Sequence, residues 1–417
     1  MTQAARTGAG TRLFRPLIYG LILASAAAQF AIIPVMPVYA HRLGLSGFQA
    51  GMVLGAPGLA CLAVSVPAGA WSDRFGARRI TLAASVLMAA ATLAQAFAGS
   101  FGLLLAARLA FGVGYGVLWT AGLSWLAGAA GGPSALGGSV ASAGVGGVAG
   151  PAASGALTQH LGLAVPLLAG AAGFALITAA LAVLRTPLIP VAPRSSAGVG
   201  LRAAARDRDI ISAAAAVIVA GLSTGVCALL IPVQLHAAGA SPGKIGLDFA
   251  GAGILFAAGS ALTAAAGRRA VNLRVICAGI LAVTATLSLG ALSTAPLAIV
   301  VMLCAATAAR SALWTVSYPL AAAAAGRGGT GVGAAMGLLN VVWAATAVVG
   351  PLAAGLAAEH LGARAAFGLT EAACAVVLAV TVAASWRTRR PAGPSGEVPA
   401  RDPAGGRLLL RSGAHRA

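Results

Sequence analysis

Twelve apolar stretches, each close to the length needed to cross a bilayer, leave this chain very few ways to fold. They fall at about residues 15–39, 48–71, 79–99, 102–126, 136–158, 163–184, 210–235, 244–266, 273–293, 296–323, 331–357 and 363–385, bounded by Arg, Pro, Gly and His. A helix needs about 20 apolar residues to span roughly 30 Å of hydrocarbon. Lipid offers the backbone no water, so only helices or closed barrels cross it, and runs of this length read as helices. Only 8% of the 417 residues are charged, against about a quarter in a soluble domain. The chain reads as an all-α, multi-pass membrane protein with no room for a large soluble domain.

The formal charge of +19 is spread over short loops and the C-terminal segment. No basic patch forms, which argues against nucleic acid as a partner. With the N-terminus in the cytoplasm, that side collects Arg74, Arg78, Arg79, Arg268, Arg269, Arg274, the arginines of the 185–209 loop and seven more after Trp386, while the other side holds only Arg42, Lys244 and Arg364. The positive-inside rule therefore puts both termini in the cytoplasm. The first apolar run lacks an A-x-A cleavage site and reads as a retained span. Near-exclusive use of Arg over Lys, with abundant Ala and Gly, fits a GC-rich bacterial genome and hence a bacterial cytoplasmic membrane. The expected organisation is a cytoplasmic segment 1–14, a six-helix half 15–184, a basic linker 185–209, a second six-helix half 210–385, and a basic tail 386–417 with the composition of disorder.

The two halves echo each other. Gly137, Gly150, Pro151, Gly155, His160, Leu161 and Gly162 return 200 residues later as Gly337, Gly350, Pro351, Gly355, His360, Leu361 and Gly362. Leu118-Trp119-Thr120 returns as Leu313-Trp314-Thr315, and Ser46 with Gly51 as Ser241 with Gly246. The chain is thus two six-span repeats. Six is even, so both repeats start on the same side and are parallel, related by an axis along the membrane normal. Transporters with this symmetry bind substrate near the midplane between the halves and rock the halves around it.

Four stretches give this a family. Gly69-Ala-Trp-Ser-Asp73-Arg74-Phe-Gly76-Ala-Arg78-Arg79, between spans 2 and 3, is similar to the G-x-L-x-D-R-x-G-R-R/K loop of the major facilitator superfamily, with Trp71 and Ala77 as departures. Pro34-Val35-Met36-Pro37 in span 1 is similar to the P-V-x-P element of its drug:proton antiporters. Leu104-x3-Arg108-x2-Phe111-Gly112-x-Gly114 in span 4 resembles L-x3-R-x2-Q-G-x-G, with Phe111 replacing glutamine. Gly137-x8-Gly146-x3-Gly150-Pro151-x3-Gly155 in span 5 resembles the motif that marks exporters, with Ser154 where glycine is common. The resemblance, to the twelve-span antiporters, covers essentially residues 13 to 386. It implies the major facilitator fold, a cytoplasmic latch at Asp73 and a part in proton coupling for Arg108. Chemistry allows both: a carboxylate at a helix end needs a cationic or helix-N-terminal partner, and an arginine inside a span is a functional candidate by default. The small residues at 146, 150 and 154 share one helical face and permit close helix approach. Thr346 stands where the first half has Gly146, so the exporter signature belongs to span 5, and the second copy reads as a structural kink.

Other intramembrane charges are few. Arg310, deep in span 10, either binds an anionic group of the substrate or pairs with a carboxylate. Glu371, midway along span 12, is the other candidate proton carrier, although the twelfth span of this fold is usually peripheral. Span 1 has no acid, only Gln29, which favours a neutral or weakly anionic amphiphile over a permanent cation. Candidate cavity residues are Gln29, Tyr115, Trp119, Gln234, Arg310, Trp314, Tyr318, Asn340 and Trp343, aromatic rings with a few polar groups that suit a large amphipathic ligand. Five scattered cysteines and His41, His160, His236 and His360 lack metal-ligand spacing, so no metal is expected. A membrane enzyme would need clustered acids, histidines or a nucleophile with its base, and the eight acids are scattered. No phosphate-binding loop is present for direct ATP drive. The expectation is therefore not an enzyme but a monomeric, proton-driven exporter of a drug or amphipathic natural product, without cofactor. The alternative is a proton-coupled carrier of a small metabolite such as a sugar or amino acid. Its partners are the small-molecule substrate, protons and the lipid bilayer.

Overall fold

The computed structural model describes residues 3–129, 133–183, 206–328 and 332–386, so most of the expected linker and nearly all of the tail lie outside it. Those residues form twelve helices long and apolar enough to cross a membrane, and no strand. They are α1 (Gln3–Leu43), α2 (Gly47–Phe75), α3 (Ala77–Ala96), α4, α5 (Pro133–Leu161), α6 (Ala164–Val183), α7 (Arg208–Ala237), α8 (Pro242–Ala265), α9 (Leu273–Leu292), α10 (Pro296–Gly328), α11 (Val332–Leu361) and α12 (Ala363–Trp386). Helix α4 runs Phe101–Val117, passes through a π-helical turn at Leu118–Gly122 and ends as Leu123–Ala129. Helix α1 begins ahead of its expected span, and its apolar stretch starts at Leu13.

Short loops are held by caps written into the sequence. Ser46, Ser100, Asp207, Ser241 and Asn272 each accept backbone N–H groups at the start of α2, α4, α7, α8 and α9, which satisfies donors that the helix itself leaves unpaired. Gly162 and Gly362 end α5 and α11 at φ 95° and 85°, a region glycine enters without a Cβ clash. Pro151 and Pro351 interrupt neither of their helices, since unravelling in lipid would strand more backbone groups than a single proline does.

The first half packs α1 on α5, α2 on α4 and α3 on α6. The second packs α7 on α11, α8 on α10 and α9 on α12. Helices α1 and α7 are the most buried, while α8 and α12 are among the least. The halves meet chiefly along two crossings, α2 on α11 and α5 on α8, which are related by the internal repeat.

Candidate functional site

At these crossings the two echo strings turn out to be partners. A Cβ on Gly51 of α2 would overlap the Pro351 carbonyl of α11, and one on Gly246 of α8 would overlap the Pro151 carbonyl of α5. Gly47 meets Gly355 in the first crossing, and Gly155 meets Pro242 in the second. Polar bonds follow the same symmetry: the Phe48 N–H donates to Glu359 Oε2 at 3.0 Å, and the Ser241 hydroxyl donates to Gln159 Oε1 at 2.9 Å. The two inter-half hydrogen bonds and the tightest inter-half backbone contacts of glycine among the described residues lie toward the end of the bundle that carries the loops at 44–46, 162–163, 238–241 and 362, and the contacts run inward only as far as mid-helix Gly58 and Gly253. The halves are stapled at one end.

The Gly146-to-Gly155 motif of α5 therefore has two faces. Gly146 and Gly150 lie against the Leu23 and Ala27 carbonyls of α1, inside the first half. Ser154 extends that face by donating to the Ala31 carbonyl at 2.7 Å. Only Pro151 and Gly155 face α8 and the other half. Gly137 lies outside the residues whose side-chain surroundings are described. The expectation that the second copy is only a kink is corrected here: Gly350 packs on Gly225 of α7, and Pro351 and Gly355 face α2, so both copies carry a crossing. Thr346 fits because its partner on α7 is Gly221, where a Cβ would collide with the threonine side chain. The small residue has changed helix between the repeats.

Arg108 is 1% exposed, seven positions into α4. Its Nε donates to the Val53 carbonyl at 3.2 Å and its Nη2 to Gln29 Oε1 at 3.4 Å, its guanidinium lies 5.6 Å from the Phe111 ring, and its Nη1 is buried without a partner. Arg310 is 6% exposed. Its Nη2 donates to the Thr307 hydroxyl at 2.6 Å, and its Nη1 lies 3.9 Å from the Cys227 sulfur. All these partners are neutral. Among the described residues the ion pairs are Lys244–Asp248 and Arg327–Asp209. Asp73 is exposed, Asp207 caps α7, Glu359 receives the α2 N-terminus, and Glu371 accepts from the Ser288 hydroxyl at 2.6 Å. Among the described residues each half thus holds a buried arginine with no carboxylate within ion-pair distance, and the acid partner expected for Arg310 is not among them. Glu371 sits at the α9–α12 contact and is not brought together with Arg108.

Both arginines head aromatic stripes. On α4, Phe111, Tyr115 and Trp119 follow Arg108 with ring centroids 6.1 and 6.0 Å apart, and Trp119 sits in the π-helical turn. Tyr115 and Trp119 pack into the core of the first half with Phe14, Ile18 and Phe174. On α10, Arg310, Trp314 and Tyr318 recur every four residues and so share one face. The Trp314 and Tyr318 rings stack at 5.9 Å and 10°, with Trp343 of α11 in the same cluster. The Tyr318 hydroxyl donates to Asn340 Oδ1 at 3.2 Å. Buried polar atoms without a partner include Trp119 Nε1 and both amide atoms of Gln234, an arrangement that is costly unless a ligand or water completes it.

At the opposite end from the staples, Gly76 turns α2 into α3 at φ 88°, and Gly69 is buried within α2. Arg78 Nη2 donates to the Ala182 carbonyl at 2.7 Å, a cation at the C-terminus of α6. Arg74 lies 5.2 Å from the Phe75 ring, while Asp73 and Arg79 are exposed. The Arg78 bond to Ala182 stays within the first half. Sequence reasoning had no signal for Gln159, Glu359 or Gly221, whose meaning comes only from the helix opposite.

A family model described as Major Facilitator Superfamily matches the chain over residues 18–216 and again over 213–414. Among solved structures the chain is similar to a bacterial homolog of the human lysosomal transporter Spinster in an inward-facing and occupied conformation. Identity is 17% and the TM-score 0.75, over 90% of this chain and 97% of that one. The unoccupied inward-facing form gives 16% and 0.74 over the same shares. The nucleoside transporter NupG gives 13% and 0.71, over 88% of this chain and 98% of the other. At such identities the likeness speaks for the fold alone. No curated protein matches the chain.

Proposed function

The chain belongs to the Major Facilitator Superfamily, and we propose that it is a proton-coupled exporter of a drug or amphipathic natural product, working by alternating access in a bacterial cytoplasmic membrane. The observation that carries this is the stapling of the halves, among the described residues, toward one end by a Gly-Pro crossing used twice. Two rigid halves with one closed end and one unlatched end are what a rocking carrier presents between strokes. The arginine-rich loops lie at the unlatched end, so with the positive-inside rule the closed end is outward and the state is inward-facing. The two inward-facing relatives share that fold. Export is favoured by the motif of α5, whose Gly146 and Gly150 fix α5 to α1 while Pro151 and Gly155 form the gate with α8. In the outward-facing state Asp73 would latch the cytoplasmic end, and Arg108 is the coupling residue of this reading. A small polar metabolite is the second reading, favoured by the unpartnered amide of Gln234.

The test is transport in inverted membrane vesicles energised by respiration, with a panel of amphipathic fluorophores and labelled sugars and amino acids. Accumulation of an amphiphile, its collapse by an uncoupler, and its loss in Arg108→Ala with unchanged protein in the membrane are the expected results. Accumulation that survives the uncoupler sinks proton coupling, and accumulation of a sugar or amino acid alone selects the second reading.

A further inference from the structure

A guanidinium held in a low-dielectric span without a counter-charge is expensive, and this bundle holds two. Among the described residues neither has an acid within ion-pair distance, since the acids sit near helix ends, two of them in ion pairs there, or at the α9–α12 contact. Arg108 is enclosed by Val53, Gln29 and the Phe111 ring in the first half. Arg310 differs. It stands at the head of a face on which Trp314 and Tyr318 stack one and two turns further on, toward the end where the halves are not stapled. Those rings are only partly buried, and the Asn340 side chain bonded to Tyr318 is exposed. A cation at one end of a pair of stacked aromatic rings, with the Asn340 amide at the far ring, is complementary to one kind of ligand.

We propose that the cargo is an organic monoanion with a flat apolar body, its charge met by Arg310 and its rings laid against Trp314 and Tyr318. A guanidinium offers paired N–H donors in a plane that matches a carboxylate, and only the outer turns of the stripe remain for the apolar body. This deepens the exporter reading and rests on it for the word cargo; the binding site itself does not depend on direction or coupling.

The test is equilibrium binding to the purified full chain in lipid nanodiscs, without any gradient, using three labelled probes of one shape: 1-naphthoate, neutral 1-naphthamide and cationic 1-naphthylmethylammonium. Naphthoate is expected to bind at least about tenfold more tightly than either of the others. Arg310→Gln is expected to erase that preference while keeping the binding of naphthamide, and Arg310→Lys to keep most of the preference, because the charge survives. Inorganic phosphate, an anion without a flat body, is expected not to displace naphthoate. Equal binding of the three probes, absence of naphthoate binding, a preference for the ammonium, retention of the preference in Arg310→Gln, or displacement by phosphate overturns the proposal. Failure of proton-driven transport alongside an intact anion preference would instead remove the exporter reading and leave this site standing.

Discussion

A glycine in a membrane helix gains meaning only from what lies across from it. Gly221 illustrates this: it has no motif, yet a methyl group there would strike the side chain of Thr346, which itself donates to the Val342 and Trp343 carbonyls at 3.1 and 2.9 Å. In the first half the same contact is made by Gly146 against Leu23. Overpacking at such a site costs about 1–3 kcal/mol, so Gly221→Ala is expected to destabilise the protein by that amount in thermal unfolding in mild detergent. Thr346→Gly removes the obstruction, at a cost of about 1 kcal/mol for glycine inside a helix. The double variant is expected to be more stable than the sum of the singles by at least about 1 kcal/mol, a coupling typical of residues in contact. Strict additivity would show that the two positions do not touch.

At the scale of elements, the crossings α2–α11 and α5–α8 should act as gates rather than as fixed core. Replacing Gly246 by Val sets a branched side chain against the Pro151 carbonyl; Gly251, on the same helix, has nothing within 4 Å and serves as the control. With Gln159→Cys as reporter in a chain freed of its own five cysteines, the Gly246→Val background is expected to react about tenfold faster with an impermeant maleimide, and Gly251→Val to change nothing. A tenfold shift corresponds to about 1.4 kcal/mol of bias. Equal rates in all three would mean that this crossing does not open. The elements themselves were legible in the sequence. Uncharged runs of bilayer length admit one structure, and the 200-residue echo gives the parallel halves. The register of contacts was not legible. A soluble helix shows its buried face by polar residues on the other, but a span is apolar all round, so nothing in α5 distinguished the side facing α1 from the side facing α8. For the same reason Glu371 read as midway in a span, with no hint that it faces Ser288 on α9.

For the whole molecule, on the proposed reading of a proton-coupled exporter of an organic anion, the distribution of charge sets what drives the cycle. Among the described residues Asp73, Asp207 and Asp209 lie at one end, Asp248 and Glu359 toward the other, Glu371 at the α9–α12 contact, and Arg108 and Arg310 are buried with no carboxylate in ion-pair distance. A site that is positive when empty is close to neutral once an organic anion enters, so the loaded carrier moves little net charge and the return stroke moves more. Exporting one monoanion for one imported proton transfers two positive charges inward per cycle. Each charge contributes about 2.3 kcal/mol per 100 mV, so an inside-negative potential of that size contributes about 4.6 kcal/mol to expulsion of an anion but only half that to expulsion of a neutral cargo. Reconstituted vesicles clamped by potassium and valinomycin, with no pH difference, separate the two: the equilibrium gradient of an exported naphthoate is expected to change about 100-fold for every 60 mV, against about 10-fold for naphthamide. A naphthoate gradient with the shallower slope would show that a single charge crosses per cycle, and a gradient insensitive to potential would show that the anion and the proton do not exchange one for one.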